Sequence, residues 1–215
     1  MKISGAIFDL DGTLLDSMSI WQTIDGDYIR SKGLVPEENL SEKLKNTTIR
    51  QAAEYFKANY HITESIDTIV EEINLMTEDF YTKEAPLKEG VAALLPLLKS
   101  KGVKMCVATA TDRPLTQAAL KRNGVLDLFD GIFTCSEVGH SKAEPHIFRE
   151  ALTLLNTEKE STWVFEDAIH AISTAKNEGF KVCAVYDRWA KDTPGIKALA
   201  DVYLTSFVEG ITYFG

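Results

Sequence analysis

The stretch IFDLDGTLLDS, residues 7–17, puts two aspartates behind an apolar run with Gly-Thr directly after them. In an extended segment residues i and i+2 point to the same side, so Asp9 and Asp11 face one way and Leu10 the other. Gly12 lets the backbone turn sharply, and Thr13 offers a hydroxyl. Such a pair is either a polar turn that closes a strand or two carboxylates set at a strand tip for chemistry. In a chain with 32 acidic residues, D-x-D alone does not separate the two.

Working outward, further short runs rich in Val, Ile and Phe read as buried strands: KMCVATA (104–110), GIFTC (131–135), WVFED (163–167), KVCAVYD (181–187) and DVYLTSF (201–207), with GAIFDL (5–10) as the first. Their near-continuous hydrophobicity is that of a parallel sheet covered on both faces. Helix-length segments such as RPLTQAALKRNG and EPHIFREALTLLN separate the later runs. The alternation implies an α/β fold, a doubly wound, mainly parallel Rossmann-like sheet, which collects ligands at the carboxyl ends of its strands.

One interval breaks the rhythm. Residues 10 to 104 span far more than the dozen or so that a simple crossover needs. Apolar residues recur there at helical spacing: Ile20, Trp21, Ile24, Tyr28, then Ile49, Ala52, Ala53, Phe56, Tyr60, then Ile66, Ile69, Val70, Ile73. The pattern predicts an inserted all-helical domain over 17–85, and an α/β core made of 1–16 and 86–215. The polar segments around Asp16-Ser17 and from Pro86 to Gly90 are the candidate hinges.

Apolar residues make up 45% of the chain and charged ones 26%, as in ordinary soluble domains. The net charge of -9 offers no basic field for nucleic acid or an anionic membrane surface, so neither is an expected partner. It leaves room for one small anionic ligand, because a bound cation reverses the local field. Cys106, Cys135 and Cys183 make no C-x-x-C pair and sit in strand-like runs, as buried free thiols in a reducing compartment do. Met1-Lys2 runs almost directly into the first strand without a leader-like stretch, and no apolar run is long enough to span a bilayer. A cytoplasmic protein, monomeric or weakly homo-oligomeric, is expected.

Asp167 shifts the balance for the opening stretch. WVFED also ends in acids, Glu166 and Asp167, and in a parallel sheet that tip shares an edge with the tip carrying Asp9. Converging carboxylates repel unless a cation sits among them, and an oxygen-only donor set suits a hard ion such as Mg²⁺. Glu166-Asp167 also suit a helix N-terminus. Thr109 and Thr111 bring hydroxyls to the same edge, and Lys142 lies in a loop before a predicted helix, either solvated or facing the carboxylates.

F-D-L-D-G-T-L-L-D-S, followed in order by Thr109, Lys142 and Glu166-Asp167 at successive strand ends, resembles the haloacid dehalogenase superfamily over essentially the whole chain. The helical insertion is similar to the cap of its phosphatase and β-phosphoglucomutase branch. The resemblance implies that Asp9 attacks phosphorus as a carboxylate nucleophile, and that Asp11 protonates the departing alkoxide and then activates water. It implies Mg²⁺ held by Asp9, the Asp11 carbonyl and Asp167, with Glu166 close by. It implies phosphoryl oxygens held by Thr109, Lys142 and the 10–13 turn, with Thr13 and Thr111 as further substrate-binding hydroxyls. Departures occur at Ser141-Lys142-Ala143-Glu144-Pro145, where the family often has G-K-P-x-P, and at Ala168 and Ala171, where it has a serine and a glycine.

Three functions follow from the resemblance. The foremost is a Mg²⁺-dependent phosphatase acting on a small phosphorylated metabolite such as a sugar phosphate. The others are a β-phosphoglucomutase-like phosphotransferase and a non-enzymatic binding protein on the same scaffold. Dehalogenation proper needs no metal, so Asp11 and Asp167 argue against it. Trp21 stands near where the mutase has a histidine, Arg50 falls near a cap loop that there carries a phosphate-binding arginine, and Arg113 follows the second strand within reach of a distal anion. Each of these three also has a plain structural reading, as a core aromatic, a solvated helical arginine and a helix-start residue.

Overall fold

Each of the six apolar runs forms a strand: β1 (Gly5–Phe8), β2 (Lys104–Thr109), β3 (Gly131–Thr134), β4 (Thr162–Glu166), β5 (Lys181–Val185) and β6 (Val202–Leu204). The computed structural model describes residues 2–44, 47–190 and 192–215. Every pairing is parallel, in the order β3-β2-β1-β4-β5-β6. This is the expected doubly wound sheet, and its strand order reverses between β1 and β4.

The two-residue period of the strands sorts their side chains between two cores. Ala6, Phe8, Met105, Val107, Trp163, Phe165, Cys183 and Val185 face one. Ile7, Cys106, Ala108, Val164, Val182 and Ala184 face the other. The first is closed by Leu94 and Leu98 of α6 (Val91–Ser100), Leu115 and Leu120 of α7 (Arg113–Arg122) and Phe207 and Phe214 of α12 (Phe207–Phe214). The second is closed by Ile147 and Phe148 of α9 (His146–Leu155), Ile172 of α10 (Ile169–Asn177) and Ile196 of α11 (Thr193–Leu199). A short α8 (Cys135–Val138) follows β3 directly. Each fully buried Leu, Ile or Phe contributes about 1.5–3 kcal/mol, and Phe8 also stacks on Phe165 at 4.4 Å between ring centroids.

Between Ser17 and Ala85 the described chain holds helices only: α1 (Met18–Trp21), α2 (Ile24–Ser31), α3 (Leu40–Leu44), α4 (Ile49–Tyr60), α5 (Ile66–Asp79) and a π-helical turn over Phe80–Glu84. Their predicted stripes meet in a third apolar cluster of their own, with Tyr28, Ile29, Ala53, Phe56 and Ile69 fully buried. Thr48 and Gln51 form a reciprocal capping box that starts α4. The chain enters and leaves this unit through adjacent segments: Asp16 donates its N–H to the Pro86 carbonyl at 3.0 Å, and Leu15 bridges Leu87. The three cysteines are buried free thiols, as expected. Among the described residues no helix is long and apolar enough to cross a membrane.

Candidate active site

The carboxyl edge of the sheet gathers the chemistry-bearing residues. Asp9 directly follows β1, and its N–H donates to the Phe165 carbonyl of β4 at 2.9 Å, so the strand pairing itself sets the nucleophile candidate. Thr109 ends β2, Glu166 ends β4, and Asp167 comes next. The loop between α8 and α9 carries Lys142 over this edge, where all five residues are buried.

The Lys142 ammonium donates to Asp9 and, at 2.7 Å, to Glu166 Oε1. Burial alone would pull its pKa down, but the carboxylates of Asp9 and Glu166 outweigh burial and hold it above the ordinary lysine range. Burial pushes the Asp9 carboxyl up to about 6; Lys142 opposes that rise and Glu166 adds to it. At neutral pH, then, Asp9 is a carboxylate and Lys142 an ammonium. The second Glu166 oxygen accepts from the N–H groups of Asp167 and Ala168, both at 2.8 Å. Both oxygens of Glu166 are therefore engaged, one in orienting Lys142 and the other in shaping the turn that carries Asp167.

Asp11 sits in a ring of hydroxyls. Ser17 donates to its Oδ1 at 2.5 Å, Tyr81 to the same oxygen at 2.6 Å and Thr111 to Oδ2 at 2.6 Å. Tyr81 in turn accepts from Trp21 Nε1 at 2.8 Å. These bonds favour the carboxylate, yet burial outweighs them and raises the Asp11 pKa above the usual range. A carboxyl fixed in direction and made more basic is suited to giving and taking one proton.

Asp9, Glu166 and Asp167 each offer a carboxylate oxygen, all lying within 4.8 Å of one another. Burial first, then repulsion from Glu166, Asp9 and Asp187, pushes the Asp167 carboxyl well up. An all-oxygen, mutually repelling donor set fits a hard divalent cation. Thr13 donates to Asp167 Oδ1 at 3.1 Å, so its hydroxyl orients this carboxylate and is not presented to a substrate. Gly12 adopts φ +83°, and a Cβ there would lie 2.5 Å from Asp167 Oδ2. Gly12→Ala is therefore expected to displace Asp167 and weaken whatever affinity this carboxylate cluster has for a divalent cation by about 10-fold or more, as loss of a ligand-orienting group does. Calorimetric titration of the variant with Mg²⁺ checks this; an unchanged affinity would refute it.

A cavity of about 160 Å³ opens between this edge and the helical unit. Trp21 lines it, as do Thr109, Thr111 and Lys142. Two of the sequence candidates lie away from it. Arg50 pairs with Asp67 at 2.6 Å and does not line the cavity. Arg113 is clamped by Glu137 at 2.5 and 2.6 Å and donates to the Ile132 carbonyl, so it too is spent elsewhere. Thr111 lines the cavity but commits its hydroxyl to Asp11. In both arginine cases an acid close in space, not in sequence, took the guanidinium.

Tyr81, Ser17, Lys88 and Asp187 were not among the site residues expected from the sequence, although Ser17 and Lys88 fall in the two candidate hinges. Lys88 donates to the Gly12 carbonyl, to the Tyr186 carbonyl at 2.7 Å and to Asp187 Oδ2 at 2.8 Å, tying the Asp11–Gly12 loop to the end of β5. Asp187 carried a usable signal, an acid just past a buried strand. Tyr81 carried none, because it sits among ordinary helix residues far along the chain from Asp11.

The profile of the haloacid dehalogenase-like hydrolase family matches residues 6–185. The chain is 24% identical over 179 residues to the phosphorylated carbohydrates phosphatase of Thermotoga maritima, covering 83% of each protein. It is 24% identical over 210 residues to hexitol phosphatase B of Escherichia coli, covering 97% of this chain and 94% of that one. The crystal structure of CbbY from Rhodobacter sphaeroides in complex with phosphate superposes with a TM-score of 0.82 at 24% identity, covering 96% of both chains.

Proposed function

The chain belongs to the haloacid dehalogenase-like hydrolase family and is a hydrolase of the phosphatase type, and from that premise we propose that it is a Mg²⁺-dependent phosphatase of small phosphorylated metabolites such as sugar phosphates. The observation that carries the proposal is the buried Asp9–Lys142–Glu166–Asp167 cluster beside an Asp11 held by three hydroxyls.

The Asp9 carboxylate attacks phosphorus in line, forming a phosphoaspartyl bond as the bond from phosphorus to the leaving oxygen breaks. Asp11 gives that oxygen its proton, then takes one from the water that attacks the phosphoaspartate. Inorganic phosphate leaves, Asp9 is restored as a carboxylate and Asp11 as the protonated acid. Lys142 offsets charge on the transferring group. The Thr109 hydroxyl accepts from the Thr111 N–H at 3.0 Å, leaving its own proton for a phosphoryl oxygen. Asp9, Asp167 and the Asp11 carbonyl would hold Mg²⁺, with Glu166 acting through Lys142. The bound ion supplies charge neutralisation between an anionic nucleophile and an anionic ester. Residues 17–85 serve as a cap over a core made of 1–16 and 86–215.

Hydrolysis is favoured over phosphate transfer between sugar positions because Arg50 is paired away from the cavity and the cap presents Trp21 where the mutase reading needs a histidine. Phosphate release from a panel of metabolite monoesters is expected with Mg²⁺ and is expected to stop on chelation. Absence of turnover across the panel, or turnover that survives chelation, counts against the proposal.

A further inference from the structure

The cavity has two unlike ends. At the sheet edge lie Asp9, Asp11, Lys142, Glu166 and Asp167, the groups of the proposed reaction. The helical unit contributes Met18, Trp21, Leu44, Ile49 and Ala52, a largely apolar wall, and a single carboxylate among its described residues, Asp25. Met18 and Trp21 come from α1 and Asp25 from the first turn of α2, and all three line the same cavity. On a wall otherwise built mainly from Met18, Trp21, Leu44, Ile49, Ala52 and Ile73, an apolar residue is expected at position 25.

Several other acids of the unit are paired. Asp27 pairs with Arg30 at 2.7 Å, Glu64 and Glu72 share Lys32 at 2.6 and 2.7 Å, and Asp67 takes Arg50 at 2.6 Å. Asp25 has no hydrogen-bond or ion-pair partner among the described residues. Burial alone pushes its carboxyl up to about 6. A half-buried carboxylate without a partner costs stability, and no contact among the described residues offsets that cost.

We infer that Asp25 is a specificity-determining residue that accepts hydrogen bonds from the leaving group of the phosphate ester, so that the substrate carries hydroxyl or ammonium donors at the end remote from phosphorus. The inference rests on the phosphatase reading above. An ionised carboxylate is acceptor-only and takes several donors, which neighbouring hydroxyls or an ammonium group supply. An alkyl leaving group would seal Asp25 from water with nothing to bind, and a site built to hydrogen-bond its ligand rejects analogues that lack the donors. A second phosphate would face the Asp25 charge, and no Lys or Arg except Lys142 lines the cavity among the described residues.

The test compares kcat/KM with Mg²⁺ for sorbitol 6-phosphate, glucosamine 6-phosphate, n-hexyl phosphate and fructose 1,6-bisphosphate, in the native protein and in Asp25→Leu and Asp25→Asn. The native protein is expected to prefer one of the first two over hexyl phosphate by about 100-fold or more, and Asp25→Leu to cut that ratio by about 10-fold or more. Which of the two is preferred tells a hydroxyl donor from an ammonium donor. Asp25→Asn keeps one acceptor oxygen and loses the charge, so it is expected to retain part of a preference for sorbitol 6-phosphate but little of one for glucosamine 6-phosphate. Asp25→Leu is also expected to melt at or above the native temperature, since it removes an unpaired carboxylate. An unchanged ratio in Asp25→Leu, or a native preference for hexyl phosphate or the bisphosphate, overturns this inference alone. No phosphate release from any of the four esters overturns the phosphatase reading and this inference with it.

Discussion

Asp9→Asn is expected to lower turnover by about 10⁴-fold or more, the scale on which loss of a covalent nucleophile is felt. The amide has nearly the same shape, and Lys142 keeps Glu166 at 2.7 Å, so the fold is retained. What disappears is the anionic oxygen that forms the phosphoaspartyl bond. Acid-quenched protein mixed with labelled substrate should carry phosphate in the native form and none in the variant. Full Mg²⁺-dependent activity in Asp9→Asn would remove Asp9 from the mechanism. A pH signature accompanies this result. Burial raises the folded pKa of Asp9 to about 6, above the value of about 4 in an unfolded chain. The neutral carboxyl is thus favoured by the fold: its contribution to stability is fully present below about pH 4 and is lost as pH rises through about 6. Catalysis runs the opposite way, because only the carboxylate attacks. Activity should fall as pH drops, with an acid limb for Asp9 at or below about 6, since a bound cation can only lower that pKa. The stability change between about pH 4 and 6, followed by thermal melts without Mg²⁺, should be smaller in Asp9→Asn.

The second large effect concerns Lys142, which lies buried between Asp9 and Glu166. Lys142→Met keeps the aliphatic stem and removes the ammonium that bonds both carboxylates, leaving two buried anions within 4.8 Å of each other. Breaking a buried ion pair by removing one partner costs about 3–5 kcal/mol. For a chain of this size that corresponds to roughly 6–20 °C in melting temperature. Turnover should fall by about 10²–10³-fold, as when a preorganised donor to developing charge is removed. Mg²⁺ is expected to recover part of the lost melting temperature but not the turnover, because it neutralises Asp9 and Asp167 without reaching the phosphoryl oxygens that Lys142 serves. Lys142→Arg should also fail, since a planar guanidinium does not fit between two carboxylates arranged for a compact ammonium. Native-like melting and turnover in Lys142→Met would show that the ion cluster is not what holds this edge.

Much of this site was legible in one dimension, for a physical reason. A parallel strand buried on both faces has to be apolar throughout, so the first polar residues past its end mark the sheet edge, and Asp9, Thr109, Glu166 and Asp167 all stand there. The excess length between β1 and β2, with its helical stripes, told of a helical insertion whose side chains do meet in their own cluster. The arginines show the opposite. Arg50 and Arg113 were plausible anion ligands by position, but a long cation goes to the nearest well-placed acid, and Asp67 and Glu137 were near only in space.

The division between sequence and fold follows from range. Local periodicity and strand-end chemistry, which depend on near neighbours along the chain, by themselves determined the α/β architecture, the helical insertion and the aspartates of IFDLDGTLLDS. Only the tertiary structure decided what each polar group is spent on: Thr13 on Asp167, Thr111, Ser17 and Tyr81 on Asp11, Lys88 on the Gly12 loop, and Asp25 on no partner among the described residues. Hydrogen bonds and ion pairs act over a few ångströms, and which groups come that close is set by the packing of the two cores and the helical unit, not by their separation in the chain.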